Sequence, residues 1–173
     1  DAGLLAILRR ISGMKLRPGL QIGPNVPLKR LVGQGGMGSV WVAEHLTLQT
    51  EVAVKFMSAD IAEKPEAMSR FSREASAAAQ IKSPHVVQIF DHGVTPLKMP
   101  FIVMELLEGE DLGKRVERAL PSVNEIAEIM AQPGHGLGAA HAHGLVHRDL
   151  KPDNILVGAA RREGVPFTVK VLD

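Results

Sequence analysis

Between residues 28 and 56 the apolar positions come in short runs broken by glycine and polar turns. Leu28–Val32 leads into Gly33-Gln34-Gly35-Gly36-Met37-Gly38, Ser39–Ala43 follows, Thr47–Thr50 reads as a turn, and Glu51–Phe56 is apolar at alternate positions. Three strands so closely spaced predict an antiparallel meander. The period then changes. Met68, Phe71, Ala75 and Ala78 recur at helical spacing within residues 65–82, with Pro65 suited to the first turn and Ser83-Pro84 ending the run. Val86–Phe90 and Phe101–Leu106 read as two further strands, with Thr95-Pro96 in the loop between them. Helical spacing returns from Ser122 through Ile126, Ile129 and Met130, up to about residue 142. Pro133-Gly134 falls inside that segment, and an interior proline costs about 3 kcal/mol, so a kink or break is expected there. Residues 145–157 mix loop and strand character, and Phe167–Leu172 reads as a last strand. Gly158–Pro166 is longer than a tight hairpin needs and is expected as a surface turn with Arg161-Arg162-Glu163 in solvent.

Composition narrows the classes. Of 173 residues, 45% are hydrophobic and 23% charged, ordinary values for a folded domain. The net charge of +1 argues against a strongly basic nucleic-acid binder and against an acidic tail protein. There is no Cys, which removes disulfides, thiolate zinc sites and cysteine nucleophiles together. No apolar run approaches the roughly 18 residues of a membrane span, so membrane association is not indicated in this segment. Residues 1–24 read as a leader or linker; Leu4, Leu5, Ile7, Leu8 and Ile11 could line a short helix, and residues 1–20 carry a local charge of +3. The chain begins at Asp1 and ends at Asp173 on an apolar run, and it is expected to be cut at both sides.

Gly33, Gly35 and Gly38 spell G-x-G-x-x-G. Glycine lets a backbone approach phosphate oxygens without a Cβ in the way. A dinucleotide-binding turn has the same spelling but must open into a helix. Here Ser39-Val40-Trp41-Val42 continues as a strand, which favours a glycine-rich hairpin and disfavours a Rossmann-type dehydrogenase. A glycine-rich turn with no ligand also fits the loop alone. In Glu51-Val52-Ala53-Val54-Lys55, alternation puts Ala53 and Lys55 on one face, where a Lys could reach phosphate and a small Ala leaves room for a flat ring. A solvent-facing strand Lys is the plainer alternative. Glu74 borders the apolar side of the 65–82 helix, where a carboxylate calls for a cation; Lys55 and Arg70 are both candidates.

The most specific segment is His147-Arg148-Asp149-Leu150-Lys151-Pro152-Asp153-Asn154. Asp149 can accept the proton of an attacking hydroxyl, Lys151 can neutralise charge on a transferring phosphoryl group, and Asn154 offers a neutral oxygen to a hard cation. His141, His143 and His147 form H-x-H-x₃-H, a spacing that also raises a metal site; His147 already belongs to the longer motif. Gly134, Gly136 and Gly138 read as a packing question.

The eight-residue run resembles H-R-D-L-K-P-x-N of eukaryotic-type protein kinases, and the wording of the glycine loop resembles their bacterial members. The resemblance covers roughly residues 25–173, and Lys151 resembles the serine/threonine class. It implies an α+β fold. An N-lobe over residues 25–106 would have five antiparallel strands and one helix. Residues 107–173 would form part of a mostly helical C-lobe, with the nucleotide between the two. It implies that Gly33, Gly35 and Gly38 cover the phosphates of ATP, that Val40 and Ala53 lie above the adenine with Leu156 below, and that Lys55 holds the α- and β-phosphates with Glu74 as its partner. Met104 would gate a back pocket, the backbone of Glu105 and Leu107 would bond the adenine edge, and Asp111, with Glu110 nearby, would approach the ribose. Asp149 would be the catalytic base beside Lys151, with Asn154 and Asp173 as Mg²⁺ ligands. The implied activity is phosphoryl transfer from ATP to Ser or Thr hydroxyls of a protein substrate, in the cytoplasm. The alternative is a non-catalytic nucleotide-binding or scaffold module. The phenylalanine and glycine that follow the metal-binding Asp in this family, its activation loop and its later helices are not among residues 1–173. With few partners for the apolar faces of the 122–142 helix and the 145–157 loop, the fragment is expected to be marginal and inactive alone.

Overall fold

The computed structural model describes residues 15–35, 38–58, 62–161 and 163–172. The helix read over the first residues, the middle of the glycine loop, Arg162 and Asp173 lie outside them. The described chain forms two compact units, one of residues up to 72 together with 91–103, the other of residues 73–90 and 104–173.

The first unit carries most of a five-stranded sheet in the order β1-β2-β3-β5-β4, of which the first two residues of β4 and the last two of β5 belong to the second unit. Its strands are β1 (Leu28–Gly35), β2 (Gly38–His45), β3 (Thr50–Met57), β4 (Ile89–Val94) and β5 (Pro100–Glu105). β1–β2 and β2–β3 are antiparallel ladders, as the meander pattern predicts. β1 runs on through Gly33 and Gly35, so the first two glycines are strand residues. Alternation sorts the two faces. Trp41, Ala43, Val52, Val54 and Phe56 turn into one apolar core with Leu28 and Val103. Ile22 and Val26 join that core, and Gly19 donates its N–H to the Leu28 carbonyl, so residues 15–24 are folded onto this unit.

Helix α1 (Pro65–Ala79) has Ala75 buried and Met68, Phe71 and Ala78 half-buried, the side its spacing predicts. Glu74 is exposed, so burial does not oblige it to find a cation there. The strand expected at 86–90 begins only at Ile89; Val86 instead makes an isolated parallel bridge to Val171. The backbone groups of residues 85–88 are taken up by residues of the second unit, to which this stretch belongs.

The second unit contains β6 (Glu110–Asp111), α2 (Leu112–Arg118), α3 (Val123–Ala142), a 3₁₀ turn (Pro152–Asn154), β7 (Ile155–Gly158) and β8 (Thr168–Val171). Its three strands form a small sheet in the order β6-β7-β8. Its core is Ile129, Val157, Phe167 and Val169, with Leu112 and Ile155 against it. Asp111 caps α2, accepting the Lys114 N–H at 2.9 Å. Arg115 lies over the Phe167 ring, 5.3 Å from its centre. Neither β6 nor α2 is visible as a period, because two residues and two turns are too short to show one.

α3 begins with a capping box in which Ser122 and Glu125 bond each other's backbone N–H groups. Of the kink or break expected at Pro133, the break does not occur: α3 is helical through to Ala142, and Pro133 is buried. The neighbouring Gln132 explains its tolerance. Its side chain accepts the Val169 N–H at 2.7 Å and donates to the Phe167 carbonyl at 3.2 Å, so α3 is bonded to β8 at the point where the proline weakens it. Of the three glycines beyond, Gly136 alone packs tightly; a Cβ there would lie 2.7 Å from the His85 carbonyl oxygen. Val123, Met130, Val146 and Leu150 are at least half exposed. Among the described residues no helix is long and apolar enough to cross a membrane.

Candidate active site

In the first unit the β1–β2–β3 ladder sets the glycine positions against the lysine. Gly33 is paired with Val40, and Val40 is paired in turn with Lys55. Val42 is paired with Ala53. Val40, Val42, Ala53 and Lys55 therefore share the face opposite the core, as the alternation predicts. At the mouth of the hairpin Gly35 is paired with Gly38. Gly38 has φ +136°, and a Cβ there would sit 1.9 Å from the Phe56 carbonyl oxygen. Only glycine fits. Gly33 and Gly35 are different, because a Cβ on either would meet nothing within 4 Å. The fold places no steric demand on them.

In the second unit, Met104 and Glu105 end β5 and Leu107 follows, all half-buried. Leu156 is paired with Asp111 on one side and Lys170 on the other. Ile155 and Val157 turn into the core, so Leu156 faces the other way, where it lines a cavity of about 210 Å³ with Leu106, Leu107 and Lys170. Asp111 has both carboxylate oxygens engaged by Lys114, which holds its carboxyl below the usual range; the backbone bond from Lys114 is the larger cause.

The motif around Asp149 is closed by hydrogen bonds. The Asn154 amide donates to the Asp149 carbonyl at 2.9 Å and to its Oδ2 at 3.2 Å. Lys151 Nζ lies 3.1 Å from the same Oδ2. The Asp149 N–H donates to His147 Nδ1 at 3.3 Å, and the other ring nitrogen of His147 is 2.7 Å from the Leu172 carbonyl oxygen. Leu172 N–H returns to the Asn154 carbonyl at 2.9 Å. Both backbone groups of Leu172, which precedes Asp173, are thus bonded to the 147–154 segment. Arg148 makes the sharp turn with φ +64°, a conformation costing roughly 1–2 kcal/mol for a side-chain-bearing residue. Lys151, through its hydrogen bond and its charge, holds the Asp149 carboxyl below the ordinary carboxylate range. Asp149 is more than half exposed. His143 bonds a carbonyl of its own helix, and His147 is committed to Leu172.

A model of the protein kinase domain matches residues 27–173. The chain belongs to the protein kinase family. Kinase relatives share close sequence similarity over most of it. It is 42% identical over 146 residues to the serine/threonine-protein kinase Pkn1 of Myxococcus xanthus, covering 84% of this chain and 20% of that protein. It is 44% identical over 142 residues to PknH of Mycobacterium tuberculosis, covering 82% and 22%. Among solved structures, the PknI kinase domain of M. tuberculosis superposes with a TM-score of 0.80 at 26% identity, over 92% of this chain and 62% of that one. The chain therefore spans about a fifth of these curated relatives and under two thirds of the solved kinase domain. Membership of the family implies use of ATP and Mg²⁺.

Two features of this kinase domain escaped the sequence reading. Glu105, whose backbone alone the motif involves, has a side chain only 14% exposed that accepts the Gln88 N–H at 2.8 Å and meets Lys170 Nζ at 2.5 Å. Arg161, expected in solvent, is exposed but lies 3.4 Å from the other oxygen of Glu105. The one available signal was Lys170 itself, a charge between valines on a strand whose neighbours all turn inward.

Proposed function

We propose that the protein is an ATP-dependent serine/threonine protein kinase, with the site residues in the roles their motif positions imply. The observation that carries this reading is the hydrogen-bonded set of Asp149, Lys151 and Asn154, in which a carboxylate, an ammonium and an amide are held together on one short loop. In the transfer, the oxygen of a Ser or Thr hydroxyl forms a bond to the γ-phosphorus of ATP. The bond from that phosphorus to the β,γ-bridging oxygen breaks, and ADP leaves. Asp149 accepts the hydroxyl proton; its low pKa keeps it ionised at neutral pH, so it orients the hydroxyl and takes the proton late. Lys151 offsets negative charge on the transferring group.

Gly33, Gly35 and Gly38 are assigned to the phosphates, Lys55 to the α- and β-phosphates and Glu74 to Lys55. Val40 and Ala53 are assigned to one side of the adenine and Leu156 to the other. Met104 is assigned to the back pocket, the backbone of Glu105 and Leu107 to the adenine edge, and Asp111 to the ribose. The open space around Gly33 and Gly35 supports their assignment: glycine there answers no need of the fold but suits a backbone that a phosphate must approach. The Asn154 amide nitrogen is turned to Asp149, so its carbonyl oxygen is left as a neutral hard donor that suits Mg²⁺. Asp173 is assigned as the second ligand. Bound Mg²⁺ supplies charge neutralisation on the phosphates.

The test is transfer of labelled γ-phosphate from ATP by the intact protein to Ser-, Thr- and Tyr-containing peptides, beside calorimetric titration with ATP and NAD. Label on Ser or Thr that disappears in Asp149→Asn supports the reading. Preference for NAD, label on Tyr alone, or ATP binding with no transfer would overturn it, the last in favour of a nucleotide-binding scaffold.

A further inference from the structure

We propose that Lys170 is a positioning residue for nucleotide binding, acting through the side chain of Glu105; this rests on the assignment of Glu105 and Leu107 to the adenine edge. Gln88, Arg161 and Lys170 meet at this carboxylate. Glu105 Oε1 accepts the Gln88 N–H at 2.8 Å and the Lys170 ammonium at 2.5 Å, and Oε2 faces Arg161 at 3.4 Å. The Glu105 N–H donates to the Gln88 carbonyl at 2.9 Å, so side chain and backbone of one residue grip the same neighbour. Lys170 Nζ also reaches the Val86 carbonyl at 3.4 Å.

The pair is buried, with side-chain exposure of 7% for Lys170 and 14% for Glu105. A buried ion pair adds little net stability over an apolar pair of similar volume, but removing one partner strands the other charge. What it supplies here is a fixed geometry. It fastens the last residue of β5 to β8 directly before the Leu106–Leu107 segment. β7 is fastened with it, because Lys170 is the cross-strand neighbour of Leu156. One ammonium thereby locates both the backbone proposed for the adenine edge and the side chain proposed for the adenine floor. The cavity of about 210 Å³ between them, lined by Leu106, Leu107, Leu156 and Lys170, leaves room for these parts to shift if the pair is broken. Holding the segment in its binding geometry beforehand lowers the ordering cost of binding.

The experiment compares Lys170→Met, Lys170→Arg and the neutral double variant Glu105→Gln/Lys170→Met in the intact protein. Readouts are calorimetric Mg·ATP affinity, KM for ATP against kcat, and amide exchange over residues 104–107 without nucleotide. Lys170→Met is expected to weaken Mg·ATP binding on the order of tenfold, within the range known for misplaced binding groups. KM should rise with it, kcat should move less than about twofold, and exchange should quicken at 104–107. Lys170→Arg should recover most of the affinity. The double variant, with no stranded charge, should regain stability but not affinity. Unchanged affinity and exchange in Lys170→Met, or affinity that returns with stability in the double variant, would overturn the proposal. Wild-type protein that binds no ATP would remove the underlying nucleotide reading as well, and so is told apart from failure of Lys170 alone.

Discussion

Replacing Gly38 with alanine would set a methyl carbon 1.9 Å from the Phe56 carbonyl oxygen, at a φ of +136° that L-residues rarely adopt. Strain of this backbone kind costs about 1–3 kcal/mol, and the overlap with a backbone atom adds to it. Phe56 cannot easily retreat, because its side chain is 1% exposed in the core with Trp41, Val52 and Val54. The β2–β3 pairing must open at its Gly38–Met57 end instead. We expect Gly38→Ala to lose at least about 2 kcal/mol of stability. Gly33→Ala and Gly35→Ala are the controls, since their new methyl groups meet nothing and neither residue has positive φ. Both should match or exceed wild-type stability by roughly 0.4–1 kcal/mol, because alanine narrows the unfolded ensemble. Their effect should appear in ATP affinity, through the methyl group held toward the phosphates. Urea denaturation gives the stabilities, and titration with Mg·ATP gives the affinities. Gly33→Ala and Gly35→Ala variants that destabilise as much as Gly38→Ala, or unchanged ATP affinity in all three, would refute this division of roles among the glycines.

Two further predictions concern the second unit. The Asp149 carboxyl is held low by Lys151, so its share of stability is present above the ordinary unfolded value near 3.9 and is lost as pH falls through the folded value. Lys151→Met should raise the Asp149 midpoint toward its ordinary value, moving that loss to higher pH; carbon-detected NMR of the carboxyl reads the shift, and an unmoved midpoint refutes the cause. Gln132→Leu would leave the buried Val169 N–H without its acceptor at a cost of about 1–3 kcal/mol, measured by thermal unfolding. A loss confined to less than about 0.5 kcal/mol would show that α3 tolerates Pro133 for another reason.

Much of the site was legible because its parts are local. Asp149, Lys151 and Asn154 lie within six positions, so one loop could bring them together whatever the rest of the chain did. Lys55 was legible because alternation along a strand fixes which face a residue takes, and the ladder places it opposite Val40 as that rule requires. Glu74 shows the limit: helical spacing puts it beside the apolar stripe, but burial depends on what packs against α1, and the residue is exposed. Pro133 shows the same limit from the other side, since its propensity argues for a break that the Gln132 contacts to β8 outweigh.

Order along the chain, by itself, determined the strand and helix periods, the glycine hairpin, the grouping of Asp149, Lys151 and Asn154 on one loop and the kinase family, because each is written in residues close together. Tertiary structure alone decided that Glu105 would meet Lys170 across 65 positions, that Gln132 would hold β8 across 37, and that Gly38 would be demanded by a carbonyl on the next strand while Gly33 and Gly35 would not. The physical reason is common to all three. A buried charge, a buried amide and a close backbone approach are satisfied by whichever group the fold delivers, and no local period names that group.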